Sequence, residues 1–198
     1  MPEDSFRAKP AKAAKKTNEF MQGRIAIPVH NESGEIVVSA GRSIYGRDPK
    51  YRFPRAFHEP VELFNLHQAV KTKDGEVIVG ERFFDALHVP QAGFPCVVAL
   101  IVATLSETQL NTLAGKFQAA VLMLDGDGPR PAASPKIAGL LGRRIAVRVI
   151  TPLERKQPDQ LDVPAIRVLL EPERRRPANR PGPLRRGKSE LAPRPGWS

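Results

Sequence analysis

Two aspartates, Asp125 and Asp127, stand on either side of Gly126 at the end of the apolar run Ala120-Val121-Leu122-Met123-Leu124. Carboxylates at that spacing can grip a hard divalent cation such as Mg²⁺, which takes carboxylates, waters and phosphates as ligands. An Asp-Gly pair after a strand is also ordinary turn chemistry, so the pair alone leaves both readings open. Other acids bear on the choice. Glu81 follows Val77-Ile78-Val79, Asp85 stands four residues later, and Asp159 follows the run that ends at Ile150. If these carboxylates converge they repel one another, and a bound cation is the usual resolution. A second group of side chains has a different chemistry. Arg24, Arg42, Lys50, Arg52 and Arg55 are accompanied by Tyr51 and Phe53. Cations that track phosphates and rings that stack on bases suit single-stranded nucleic acid; the alternative is a solvated loop whose two aromatics pack inward.

The elements that must position these groups are legible from periodicity. Arg24–Val29 and Ile36–Ala40 flank the turn residues Asn31-Glu32-Ser33-Gly34-Glu35, which predicts a hairpin with Pro28 on an edge strand or at a bulge. Leu63, Leu66 and Val70 have helical spacing over 62–70, with His67 as a surface or core residue rather than a ligand. After the Lys73-Asp74-Gly75 turn the chain alternates. Strands are expected at 77–79, 96–102, 121–124 and 145–150, and helices at 81–92, 106–117 and 134–141, with one last helix over 162–170. That alternation predicts a parallel sheet with helices on its faces, whose strand exits gather Glu81 and Asp125 on one edge. Ser106 with Gln109 has the form of a capping box, and Ser134 precedes a proline at a first helical position.

Composition narrows the class. With 198 residues and 41% hydrophobic side chains the chain can build a core of one or two small domains. The net charge of +10 is uneven: residues 1–22 hold five basic and three acidic side chains, and 171–198 hold eight and three. Both ends are therefore attractive to polyanions and too polar to bury a face, so disordered basic tails are expected there. A single cysteine, Cys96, opens an apolar run and reads as a core residue, which excludes an intramolecular disulfide. Four scattered histidines and no Cys-x-x-Cys pair disfavour structural zinc. No apolar run approaches the length of a membrane span, and a cytoplasmic protein is the simplest expectation.

The order of motifs carries a resemblance. Glu81-Arg82-Phe83-Phe84-Asp85-Ala86-Leu87, then Val98-Ala99-Leu100 with Thr104-Leu105-Ser106, then Val121–Asp127, then Gln157-Pro158-Asp159 resembles the Toprim domain of bacterial primases, topoisomerases and some nucleases. Upstream, Gly23–Val29, Gly34–Val37, Ala40-Gly41-Arg42, Pro49-Lys50-Tyr51 and Glu62–Leu66 resemble the first half of the bacterial replicative primase core. The resemblance covers roughly 23–165. It implies an α/β fold, a Toprim-type parallel sheet with flanking helices over 73–170, preceded by a small α+β primase-core subdomain over 23–72. It also implies synthesis of RNA primers on single-stranded DNA from ribonucleoside triphosphates. Glu81 would be the catalytic acid or base, Asp125, Asp127 and Asp159 would hold Mg²⁺ or Mn²⁺, and Arg24, Arg42, Lys50, Tyr51 and Arg52 would contact template or nucleotide. A zinc-binding domain ahead of the core and a helicase-contacting domain behind it are expected to be absent here, so a replicative helicase or a zinc-binding domain supplied in trans is an expected partner.

The chain also departs from that family. Arg82 stands where a glycine is usual, Gly80 replaces an aliphatic residue, and Gly128-Pro129-Arg130-Pro131 replaces a segment that is usually helical. Gln157 replaces an acid, Ile101-Val102-Ala103 replaces a glycine-containing turn, and Glu59 stands where relatives tend to be basic. A guanidinium beside Glu81 can pair with it and compete with a metal. Two alternatives to an active primase therefore stand: a catalytically impaired nucleic-acid-binding module, and a Toprim nuclease, which the upstream half disfavours.

Overall fold

Strand residues Val77, Ile78 and Val79 are apolar without alternation because both faces of their sheet are covered. The computed structural model of the chain describes residues 21–54, 62–101, 104–124, 133–150 and 160–175. Its central element is a four-stranded parallel sheet in the order β5-β4-β6-β7, built from β4 (Glu76–Gly80), β5 (Val97–Ala99), β6 (Ala119–Met123) and β7 (Ala146–Val149). Val77, Val79, Val98, Leu100, Ala120, Leu122 and Leu124 face one way. They meet Leu66 and Ala69 of α1 (Leu66–Ala69), Leu110 and Leu113 of α3 (Glu107–Lys116), and Ile137 and Leu141 of α4 (Ala133–Leu141). The other face carries Ile78, Val97, Ala99, Val121 and Met123. Phe83 and Ala86 of α2 (Phe83–His88) cover it together with Ile166 and Leu170 of α5 (Val163–Arg175). The parallel sheet with flanking helices is the expected fold.

Ahead of it lies an antiparallel sheet, β1 (Arg24–His30), β2 (Ile36–Ser43) and β3 (Tyr51–Arg52), in that order. Pro28 lies on the outer strand, as expected, next to a bulge between Val29 and His30. Ile27, Val29 and Ala40 are buried in the same apolar cluster as Ile78, Phe83 and Val97, so the small sheet packs directly on the large one. Arg148 on β7 forms a largely buried ion pair with Glu76 on β4, across the intervening strand β6.

Several sequence expectations need correction. The expected helix over 62–70 is a four-residue helix, Leu66–Ala69, with a 3₁₀ turn over Val70–Thr72, because Phe64 is drawn into an antiparallel bridge with Ala99. The expected helix over 81–92 starts at Phe83 and passes into a 3₁₀ turn at Val89–Ala92, where Pro90 cannot supply an α-helical donor. The expected strand over 96–102 ends at Ala99, since Ile101 takes a left-handed backbone with φ of 70°. The last helix reaches Arg175, beyond the expected end at 170. The capping box of Ser106 and Gln109 is present: Gln109 N–H donates to Ser106 Oγ at 3.2 Å and Ser106 N–H to Gln109 Oε1 at 3.0 Å.

Candidate active site

Glu81 is the first residue after β4, and its backbone is held on both sides. Its N–H donates to Asp85 Oδ2 at 3.1 Å, and its carbonyl accepts from the Ile101 N–H at 3.1 Å. Asp85 is only 1% exposed, and the same Oδ2 accepts from the Arg82 N–H at 2.8 Å. Asp85 thus closes the first turn of α2, where N–H groups lack intrahelical partners, rather than facing the edge beside Glu81 as a further acid. Gly80 is required by this arrangement: a Cβ there would lie 2.7 Å from Asp85 Cβ and 3.2 Å from Oδ2. Arg82 is the N-cap residue of α2 in extended conformation and is half-buried.

The register of the sheet sets what lies beside Glu81. Gly80 pairs with Met123, and Ile150 N–H donates to Leu122 O at 2.8 Å, so β4, β6 and β7 leave the sheet side by side. The chain leaving β4 turns to α2 on one face, and the chain leaving β6 reaches α4 on the other. Adjacent strands whose connections diverge in this way open a crevice at their carboxyl ends. Asp125, Asp127 and Asp159 lie outside the described residues, as does the segment over 128–131. Among the described residues no group of three or more metal-ligating side chains forms.

The basic residues separate by what holds them. Arg24 Nη1 donates to the carbonyls of Gly41 at 3.0 Å, Pro49 at 2.9 Å and Lys50 at 3.4 Å, stapling the chain before β3. Desolvation first, and neighbouring Arg52 second, draw this guanidinium below its ordinary value. Lys50 and Arg52 are exposed on and beside β3. Tyr51 and Phe53 pack inward on Phe83, with ring centroids 5.5 and 6.2 Å away. Arg42 lies over Phe84, its guanidinium carbon 3.9 Å from the ring centroid, and donates to the Tyr51 hydroxyl at 3.3 Å. Phe84 therefore joins the site, and no sequence signal singled it out, because its partner lies forty-two positions earlier.

His67 stacks on His30 with centroids 4.4 Å apart, tying α1 to β1. Desolvation, then His30 and Lys71, push its pKa below the usual histidine value. The unfolded chain therefore takes up the proton more readily. His67 contributes no penalty above pH about 6.5, and stability falls as the pH drops through its folded-state value. Urea melts from pH 7.5 to 5 are expected to show a steeper loss for wild type than for His67→Asn. Parallel slopes would remove His67 as the source.

A parallel α/β sheet with an acid at the exit of a central strand is thus joined to a small antiparallel sheet, and proteins of known structure share this fold. No family model matches the chain. It is 34% identical over 158 residues to the DNA primase of Thermotoga maritima, an alignment of 75% of this chain and 28% of that protein. The Aquifex aeolicus primase structure, with zinc-binding and RNA polymerase domains, superposes at a TM-score of 0.67 and 24% identity over 83% of this chain and 50% of that one. A DnaG primase catalytic domain bound to ssDNA superposes at 0.64 and 21% identity, over 76% and 51%. Over the aligned stretch the chain is a homologue of bacterial DNA primases and shares the fold of DnaG primase catalytic domains. It spans under a third of the length of the curated relatives it matches. No helix among the described residues is long and apolar enough to cross a membrane.

Proposed function

We propose that the chain joins ribonucleotides on a single-stranded DNA template by metal-assisted nucleotidyl transfer, in the cytoplasm, at the crevice between β4 and β6. The observation that carries the reading is the placement of Glu81 at the switch point of a parallel sheet, one register step from the exit of β6, where Asp125 follows Leu124 in the sequence. In this reading residues 73–170 are a Toprim domain and 23–72 the preceding part of the core.

The donor chemistry suits Mg²⁺ or Mn²⁺. Glu81, Asp125, Asp127 and Asp159 are hard oxygen donors, and Asp85, committed to backbone N–H groups, is not needed among them. Glu81 acts as the acid or base and the three aspartates hold metal. When bound there, such an ion would supply activation of a 3′-hydroxyl and charge neutralisation at a leaving pyrophosphate. The residues of the chain do the positioning: Asp85 and Ile101 fix the root of Glu81, Arg24 shapes the loop before β3, and Arg42, Lys50 and Arg52 meet phosphates. One structure of a DnaG catalytic domain contains ssDNA, which supports the choice of template. A replicative helicase and a zinc-binding domain are the protein partners this reading calls for.

Arg82, adjacent to Glu81, favours a second reading, a nucleic-acid-binding module without turnover. Metal binding separates the two. Mn²⁺ titration of wild type, Asp125→Asn and Asp127→Asn is expected to show affinity at least about tenfold weaker in each variant. Equal affinities in all three would remove the aspartates as ligands.

A further inference from the structure

We propose that Phe84 is a positioning residue for Arg42: its ring fixes the guanidinium at the head of α2 in the orientation that receives a phosphate group. The inference rests on the reading that this edge of the sheet handles nucleotides. Arg42 shares the inward-facing parity of β2 with Ala40 and Val38 but lies past the end of the core, paired with Ile25 on β1 and Tyr51 on β3. Ile25 is 51% exposed, so this end of the small sheet is open. The Arg42 guanidinium sits 3.9 Å from the Phe84 centroid and 5.7 Å from that of Tyr51, and it gives one hydrogen bond, to the Tyr51 hydroxyl.

A guanidinium has five N–H donors, all directed in its plane. With its central carbon over the Phe84 ring and Nη1 donating to Tyr51, the guanidinium keeps further in-plane N–H groups for a fork of two hydrogen bonds to a phosphate. No described carboxylate forms an ion pair with Arg42. Arg24 is the contrast, since its Nη1 is committed to three backbone carbonyls. Phe84 and Phe83 also divide their work. Phe83, 2% exposed, fills the core against Phe64, Tyr51 and Phe53, whereas Phe84 is half-buried and presents its ring to Arg42. Phe84 lies in the first turn of α2, three positions after Glu81 in the sequence.

The phosphate can belong to a nucleoside triphosphate or to the template backbone, and two titrations distinguish them. ATP and an oligothymidylate are each titrated into wild type, Phe84→Leu, Phe84→Tyr, Arg42→Gln and the Phe84→Leu/Arg42→Gln double variant, with melting curves recorded for all. Phe84→Leu is expected to weaken one of the two ligands by about threefold to tenfold. Phe84→Tyr is expected to restore it, and Phe84→Leu is expected to add nothing once Arg42 is gone. The ligand affected names the source of the phosphate. Wild-type affinity for both ligands in Phe84→Leu would overturn the proposal, and so would an equal further loss in the Arg42→Gln background. If wild type binds neither ligand, both this inference and the nucleotide-handling reading fail. If the pattern holds but no ribonucleotide is incorporated, the catalytic reading fails and the positioning role stands.

Discussion

Gly80→Val is expected to destabilise the fold by about 3 kcal/mol, the largest stability effect of any single change considered. A Cβ at this position meets Asp85 Cβ at 2.7 Å, closer than real side chains approach, and the neighbour is the root of a buried carboxylate rather than a flexible tip. Relief requires Asp85 to move, and movement leaves the N–H groups of Glu81 and Arg82 without their acceptor at the start of α2. Those two N–H groups are also what fixes the root of Glu81. Urea denaturation checks the magnitude, and a double-mutant cycle checks the cause. Asp85→Gly alone loses the two hydrogen bonds and also removes the clashing Cβ, so adding Gly80→Val to it is expected to cost much less than Gly80→Val costs alone. Strict additivity would mean that the clash with Asp85 is not the source of the loss.

The largest effect on activity is expected at Glu81. Glu81→Gln keeps the size of the side chain and leaves the backbone bonds to Asp85 and Ile101 in place, so the fold is expected to be retained. A group acting as acid or base contributes typically about 10² to 10⁴ in rate, and a loss of that order in ribonucleotide incorporation is expected, with oligothymidylate affinity retained. A variant that incorporates nucleotides at the wild-type rate would remove Glu81 from the chemistry. A variant that loses oligothymidylate binding in parallel would assign Glu81 to binding instead.

How much of this was legible in the sequence depends on how local each feature is. The parallel sheet was legible because Val77–Val79 and Val121–Leu124 are apolar runs of strand length, each followed by a helical segment. The capping box at Ser106 was legible because both partners lie within four residues. The short α1 was not. Leu63, Leu66 and Val70 have helical spacing, but Phe64 is held in a bridge to Ala99, thirty-five positions away, and the sheet edge overrides the local period. Asp85 illustrates the limit for sites. In the sequence it stands among the acids that could converge with Glu81, yet its third position in the helix places it equally well for closing the first turn, and burial decides in favour of the turn. Arg24 and Arg42 look alike as basic residues near an aromatic stretch. What distinguishes them, three carbonyls around one and an aromatic shelf under the other, comes from the antiparallel pairing of β1, β2 and β3 and from the packing of the small sheet on α2. The backbone at Ile101 was the least legible. A β-branched residue with positive φ is costly, and it is held at the strand exit by the hydrogen bond from its N–H to the Glu81 carbonyl.

The measurement that bears most directly on the central proposal is incorporation of labelled ribonucleotides on a single-stranded DNA template by the wild-type chain, with Mg²⁺, with Mn²⁺ and with a chelator. The proposal predicts short RNA products with either metal, none with the chelator, and none from Asp125→Asn under the same conditions. A folded chain that binds the template yet yields no product with either metal, or equal product from Asp125→Asn, would contradict it.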